Sequence, residues 1–180
     1  MSFLFTILQL RANSYRMPPL IMKFYVDGAC GRNGQPGAIG AAAAARRYRS
    51  GRELYRTRQL NDDDYNPTSQ RAEILAIILA LEWAMDLYEE TDNSPRIEVT
   101  IRSDSRYAVM CMNKWIFKWL GNGWITSAGR PVANQDMLKD ANRARNRVLS
   151  VGKVSLRFIK VPRNQVIKAD AKCKEVLNNM

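Results

Sequence analysis

The sequence predicts an α/β domain on a mixed sheet, with an antiparallel start feeding parallel crossovers. Three observations predict it. Short apolar runs of strand length and longer stretches of helical period follow one another as three strands, a helix, a strand, helices, a strand and a helix. The turn signals Asn33-Gly34, Pro36-Gly37 and Ser50-Gly51 separate the first three strands closely, as hairpins do. Beyond Pro67 the remaining strands are each reached through helical sequence, the connection that parallel pairing requires.

Leu20 to Asp27 is rich in apolar and aromatic residues and stops at Gly28, so a buried strand is expected there, with a turn over Gly28 to Gly37. Ala38 to Tyr48 and Arg52 to Leu60 flank Arg49-Ser50-Gly51 as the arms of a hairpin, and Asp62 to Pro67 follows as a loop. Thr68 is placed to cap a helix in which Ile74, Ile77, Ile78, Leu81 and Met85 form one apolar stripe, ending near Tyr88. Ile97 to Arg102 alternates as a strand. Ser105 to Leu120 is helical with a break near Trp115, and Gly121 to Pro131 is a loop rich in Gly, Asn and Ser. Asn134 is expected to cap a helix to Leu149, Val154 to Lys160 is a strand, and Gln165 to Leu177 is the last helix.

Composition restricts the chemistry. The chain of 180 residues has 28 Lys plus Arg against 17 Asp plus Glu, a net charge of +11 and a pI near 9.9, which suits a polyanion and disfavours acidic metabolites. Its length suits one domain, read as residues 21–180 behind an extension over 1–20. There is no histidine, which excludes His-ligated zinc and Ser-His-Asp or Cys-His catalysis. Cys30, Cys111 and Cys173 are too widely spaced for a C-x-x-C site, and their odd number suggests no disulfide framework. No apolar run reaches the ~20 residues of a spanning helix. The first 26 residues lack acids and carry Arg11, Arg16 and Lys23 behind the apolar Phe3 to Leu8, a composition open to two readings, a mitochondrial presequence or a lead-in to the domain. The expected location is intracellular, in nucleus, cytoplasm or mitochondrion, and not secreted.

Against this basic background, four acids stand in four separate segments: Asp27 within or at the end of the first strand, Glu73 in the first turns of the long helix, Asp104 just after the fourth strand, and Asp170 in the last helix. Acidic oxygen clusters hold Mg2+ or Mn2+, and paired divalent ions drive in-line displacement at phosphorus. Each acid alone would ordinarily be a turn cap or a solvated helix residue. Together they suggest one converging site, with Glu73 and Asp170 facing the strand acids from helices.

Phe24 to Gly34, Thr68-Ser69-Gln70-Arg71-Ala72-Glu73, Ser103-Asp104-Ser105 and Trp115 to Trp124 occur in this order and resemble type 1 ribonuclease H, over about Met22 to Leu177. The resemblance implies a ribonuclease H-like fold, a mixed five-stranded sheet flanked by helices, and hydrolysis of the RNA strand of RNA/DNA hybrids to 5′-phosphate products. It implies that Asp27, Glu73, Asp104 and Asp170, with the backbone of Gly28, hold two Mg2+ (or Mn2+) ions when substrate is bound. Asn33, Ser69 and Gln70 match positions that contact the RNA strand, where Ser69 replaces an Asn common in relatives. Tyr107 and Trp119, with Ser127, match a channel that packs deoxyribose. Thr68 and Asn134 match the seat of a DNA phosphate, with Asn66 where some relatives carry an arginine. Trp115 and Trp124 are read as packing residues. Arg46, Arg47, Arg49, Arg52, Arg143, Arg145 and Arg147 are candidates for backbone contacts.

One segment departs from that pattern. Relatives usually carry a Gly-His loop before the last helix and an Asn four residues ahead of the final aspartate. Here Val161 to Asp170 is shorter, has no histidine, and places Val166 at the Asn position, with Arg163 or Lys168 as substitute charges. The resemblance then implies an active but slow enzyme, expected to act as a monomer without an obligate protein partner or membrane. The alternatives are a hybrid-binding module of the same fold that does not cut, and a DNA-only nuclease of a resolvase or integrase branch. Retention of all four acids argues against the first, and the Thr68 to Glu73 and Trp115 to Trp124 signatures argue against the second.

Overall fold

The computed structural model describes residues 18–60, 66–91 and 95–180. The expected extension over 1–20 and loop over 62–67 fall mainly outside these. Five strands, β1 (Leu20–Gly31), β2 (Ile39–Arg47), β3 (Glu53–Leu60), β4 (Ile97–Ser103) and β5 (Val154–Lys160), form one sheet in the order β3-β2-β1-β4-β5. The pairs β1–β2 and β2–β3 are antiparallel, and β1–β4 and β4–β5 are parallel, as the hairpin and crossover signals predict.

The long helix α1 (Ser69–Glu89) starts at Thr68, which has extended dihedrals and whose Oγ1 accepts from the Arg71 N–H at 3.2 Å. The predicted stripe is buried, and so are Leu75, Leu79 and Ala84 beside it. The reason is that α1 lies between the sheet and α4 (Gln135–Leu149), so two of its faces leave water. Each fully buried Ile or Leu in this layer contributes about 1.5–3 kcal/mol.

On the other face, α5 (Ile167–Asn178) sets Ala169 and Cys173 against Ala43 of β2. This explains the alanine run of β2. Ala42 and Ala44 face the α1 side, Ala43 meets α5, and all are fully buried, so only small side chains let two helices close on one strand.

Three boundaries differ from expectation. β1 does not stop at Asp27 but pairs through Gly31, with Gly28 to Gly31 opposite Ala42 to Ile39. The turn begins only at Arg32, whose φ is +52°, and continues through Gly34 and Gly37 at +72° and +74°. The predicted break near Trp115 is a π-helical turn, Cys111–Trp115, between α2 (Arg106–Met110) and α3 (Ile116–Gly121), closed by the Ile116 N–H on the Cys111 carbonyl. The last helix opens with a separate 3-10 turn, Arg163–Gln165, before α5.

Candidate active site

Glycine at position 28 is required by close approach and not by a turn. A Cβ there would lie 2.2 Å from the Ala72 carbonyl carbon and 2.3 Å from the Glu73 nitrogen, so the first turns of α1 rest directly on the β1 backbone. That contact carries Glu73 to the neighbouring Asp27. Parallel pairing sets Val26 beside Ser103, which places Asp104 at the same end of the sheet. The carboxylate oxygens of Asp27, Glu73 and Asp104 consequently lie within 4.8 Å of one another.

Burial, then the charges of Asp104 and Asp170, push Asp27 up to about 7, against the lowering effects of Arg163 and the Gly28 N–H. Burial, Asp27 and Asp104 push Glu73 up to about 9, only partly offset by Arg163 and by the Ser103 hydroxyl at 3.5 Å. A divalent cation fits such a set of hard oxygen donors, because it would remove the repulsion that forces protons onto them.

Asp170 reaches the same locality from α5 but is held differently. Lys174, one turn on, donates to it at 2.7 Å and Arg163 at 2.8 Å, while Arg163 also lies 3.7 Å from Asp104. Burial raises the Asp170 pKa, but Lys174 and Arg163 hold it below the usual carboxylate range. Of the two substitute charges, Arg163 is at the site. Lys168 points away to Glu53 at 2.8 Å.

The predicted nucleic-acid contacts form a connected set beside the acids. The Asn33 Oδ1 accepts from the Ser69 N–H at 2.7 Å, tying the β1–β2 turn to the start of α1. Asn134 precedes α4 with φ +56° and makes no side-chain cap, contrary to expectation. Its amide instead donates to Gln70 at 3.4 Å and to the Tyr107 hydroxyl at 3.2 Å, a use that its left-handed backbone permits. Tyr107 and Trp119 are linked through Trp115, at ring distances of 6.2 and 5.9 Å, and Trp119 stacks on the buried Trp124. Ser127 stands on an exposed turn, and among the described residues no hydrogen bond joins it to Tyr107 or Trp119.

Sequence reasoning missed one support. Arg71, 2% exposed, pairs with both oxygens of Asp136 at 3.0 and 2.6 Å, fixing the start of α1 to the start of α4 and hence Thr68 relative to Asn134. An arginine inside the Thr68 to Glu73 motif, three residues past the cap, was the available signal.

The family model for RNase H matches residues 20–172. The chain is 37% identical over 134 residues to the ribonuclease H of Dinoroseobacter shibae, covering 73% of this chain and 76% of that protein. It is 34% identical over 131 residues to the ribonuclease H of Ruegeria sp. (strain TM1040), covering 73% and 74%. Among solved structures it is similar in fold to LC9-RNase H1, described as a type 1 RNase H with the type 2 active-site motif, with a TM-score of 0.64, 22% identity, and coverage of 91% of this chain and 74% of that one. A match of that extent, on a sheet whose strand order and mixed pairing agree, means that this chain belongs to the RNase H family.

Proposed function

We propose that the chain is a metal-dependent endonuclease that hydrolyses the RNA strand of RNA/DNA hybrids and leaves 5′-phosphate ends. The observation that carries this reading is the trio of the buried Asp27 with the half-buried Glu73 and Asp104, one oxygen of each within 4.8 Å of the others and two pKa values raised. When bound, two Mg2+ (or Mn2+) ions would supply an activated water for attack on the phosphodiester and a counter-charge for the departing 3′ oxygen. Asp27, Glu73 and Asp104, with the Gly28 backbone, would hold them on the β1–α1–β4 side. Asp170 completes the set on exchanging its bonds to Arg163 and Lys174 for that role.

Asn33, Ser69 and Gln70 meet the RNA strand, where a ribose 2′-OH distinguishes RNA from DNA. Thr68 and Asn134 seat a phosphate of the DNA strand at the paired starts of α1 and α4. Tyr107 and Trp119, with Ser127, pack the deoxyribose. The segment without histidine makes turnover slow, because Arg163 holds Asp170 in place of a group able to exchange protons at neutral pH. The protein acts as a monomer, and three unpaired cysteines suit an intracellular, reducing compartment. Among the described residues, no helix is long and apolar enough to cross a membrane.

The test is cleavage of an end-labelled hybrid in Mg2+ and in Mn2+, with EDTA, all-DNA and all-RNA controls. Metal-dependent cuts in the RNA strand are expected. An intact hybrid in every divalent salt would end the proposal.

A further inference from the structure

Among the described residues, α5 and the segment before it cover only half of their face of the sheet. At the active-site end Ala169 and Cys173 pack on Ala43, and Val161 and Val166 close over Tyr25 and Ala45. Beyond Tyr25, towards the start of β1, no helix among the described residues lies on the sheet, and a depression of about 800 Å³ opens there. Its floor is basic. Lys23 lies beside Thr100, and Thr100 beside Arg157, while Arg47 follows the Phe24–Arg46 pair from the β2 side and lays its guanidinium 4.2 Å from the Tyr25 ring. Arg46 and Arg49 complete the rim, with Arg46 stacked 4.3 Å from the half-buried Tyr48.

Little acid compensates these cations. Glu98, the one acid lining the depression, is within 3.5 Å of Arg96, and Arg47 is answered by Glu53. Among the described residues no carboxylate lies within ion-pair distance of Lys23, Arg46, Arg49 or Arg157. Four cations without a carboxylate partner among the described residues repel one another around one hollow, and a polyanion would remove that repulsion.

We propose that this open half of the sheet binds single-stranded nucleic acid, at a surface separate from the carboxylate site. Charge complementarity gives the polyanion, and shape selects a single strand. From β2 to β5 the floor spans three inter-strand gaps, about 14 Å, room for one backbone among side chains. The half-buried Tyr48 beside Arg49, and the exposed Ile21, offer sugar and base contacts as well as phosphate contacts. A lipid surface fits less well, since the floor is recessed and Ile21 is its one exposed large apolar residue. Lys23 precedes Asp27 by four residues of extended strand, about 13 Å, so an unpaired tail of a nucleic acid held at the acids could reach this floor.

The experiment is fluorescence anisotropy of a labelled oligothymidylate of about 16 nucleotides in EDTA, where cleavage does not enter. Failure of this inference is thereby separated from failure of the hybrid-cleaving reading. The double charge reversal Lys23→Glu with Arg157→Glu is compared with Lys114→Glu plus Arg130→Glu, which changes net charge equally on exposed sites elsewhere. The first is expected to weaken binding at least tenfold and to flatten the salt dependence by roughly 1.4 log units per log unit, the loss of two phosphate contacts. The second should weaken it less than threefold. Thermal melts check folding, and Lys23→Gln with Arg157→Gln, expected to weaken binding several-fold, replaces the reversal if that variant is unfolded. Unchanged affinity in the Lys23 and Arg157 variants, an equal loss in both reversals, or tighter binding to phosphatidylserine vesicles than to the oligonucleotide would overturn the proposal.

Discussion

Asp104 and Asp170 lie on either side of Arg163, yet the two ends of this carboxylate group are built oppositely. At one end Asp27, Glu73 and Asp104 crowd within 4.8 Å with no lysine or arginine closer than Arg163, and burial with mutual repulsion raises the first two to about 7 and 9. At the other, Asp170 is satisfied by Arg163 and Lys174 and held below its usual range. The first end is a set of hard oxygen donors that a divalent cation fits. The second already has protein cations, and recruiting it for a metal means breaking two charge-assisted hydrogen bonds.

Removing charge from the first end should have the largest effect. Asp27→Asn is expected to reduce hybrid cleavage more than about a thousandfold, ~4 kcal/mol of barrier, while the protein remains folded. Single-turnover assays with a circular dichroism melt check both parts.

Stability against pH comes next. A buried acid whose folded pKa exceeds its unfolded value binds more protons when folded, so stability is full below the unfolded pKa and declines as pH rises. For Glu73 that window runs from 4.5 to about 9, and for Asp27 from 3.8 to about 7. Metal-free protein should therefore lose melting temperature steadily between about pH 5 and 8, a loss on the order of 1–3 kcal/mol. Glu73→Gln should flatten that slope, and saturating Mg2+ should do the same in the unaltered chain. A slope identical in all three would show that the acids are not crowded as described.

Arg163→Ala tests the satisfied end. Freed of one partner, Asp170 should accept a cation more readily, and Mn2+ affinity measured by calorimetry should rise about three- to tenfold, or ~1 kcal/mol. Weaker binding would mean that Arg163 supports the metal site instead of competing with it.

The smallest effect is expected at Glu53, which lies away from the acids but joins α5 to the sheet. Burial raises its pKa, but Lys168, Tyr55 and Arg47 together bring it down to about 2. Its stabilisation is thus present above about pH 4.5 and is lost as pH falls towards 2, and with both cation partners largely exposed Glu53→Gln should cost about 0.5–1 kcal/mol at pH 7 and much less at pH 2. Urea melts at the two pH values measure this.

Much of the site was legible in the chain because its motifs are local. Asp27 with Gly28, the Thr68 to Glu73 run and Ser103 to Ser105 each announce an acid on or beside a regular element, and the structure puts them inside β1, in the first turns of α1 and just after β4. Gly28 was legible as a glycine but misread as a turn, since the α1 backbone that needs the space comes from residues 44 and 45 positions later. Asn134 stands at the N-cap position as read, but its side chain turns from the helix to Gln70 and Tyr107, partners too distant in sequence to be foreseen. The Arg71–Asp136 pair and the division of labour between Arg163 and Lys168 were hidden for the same reason.

The sequence by itself determined the order of strands and helices, the net positive charge, the absence of histidine chemistry and the four segments in which the candidate acids stand, because periodicity, charge and residue type are written along the chain. Only the tertiary structure decided which acids crowd together and which is neutralised, and which half of the sheet stays open. Those outcomes depend on distances between segments that helix packing brings within a few ångströms, and Coulomb energies and burial respond to such distances, not to separation along the chain.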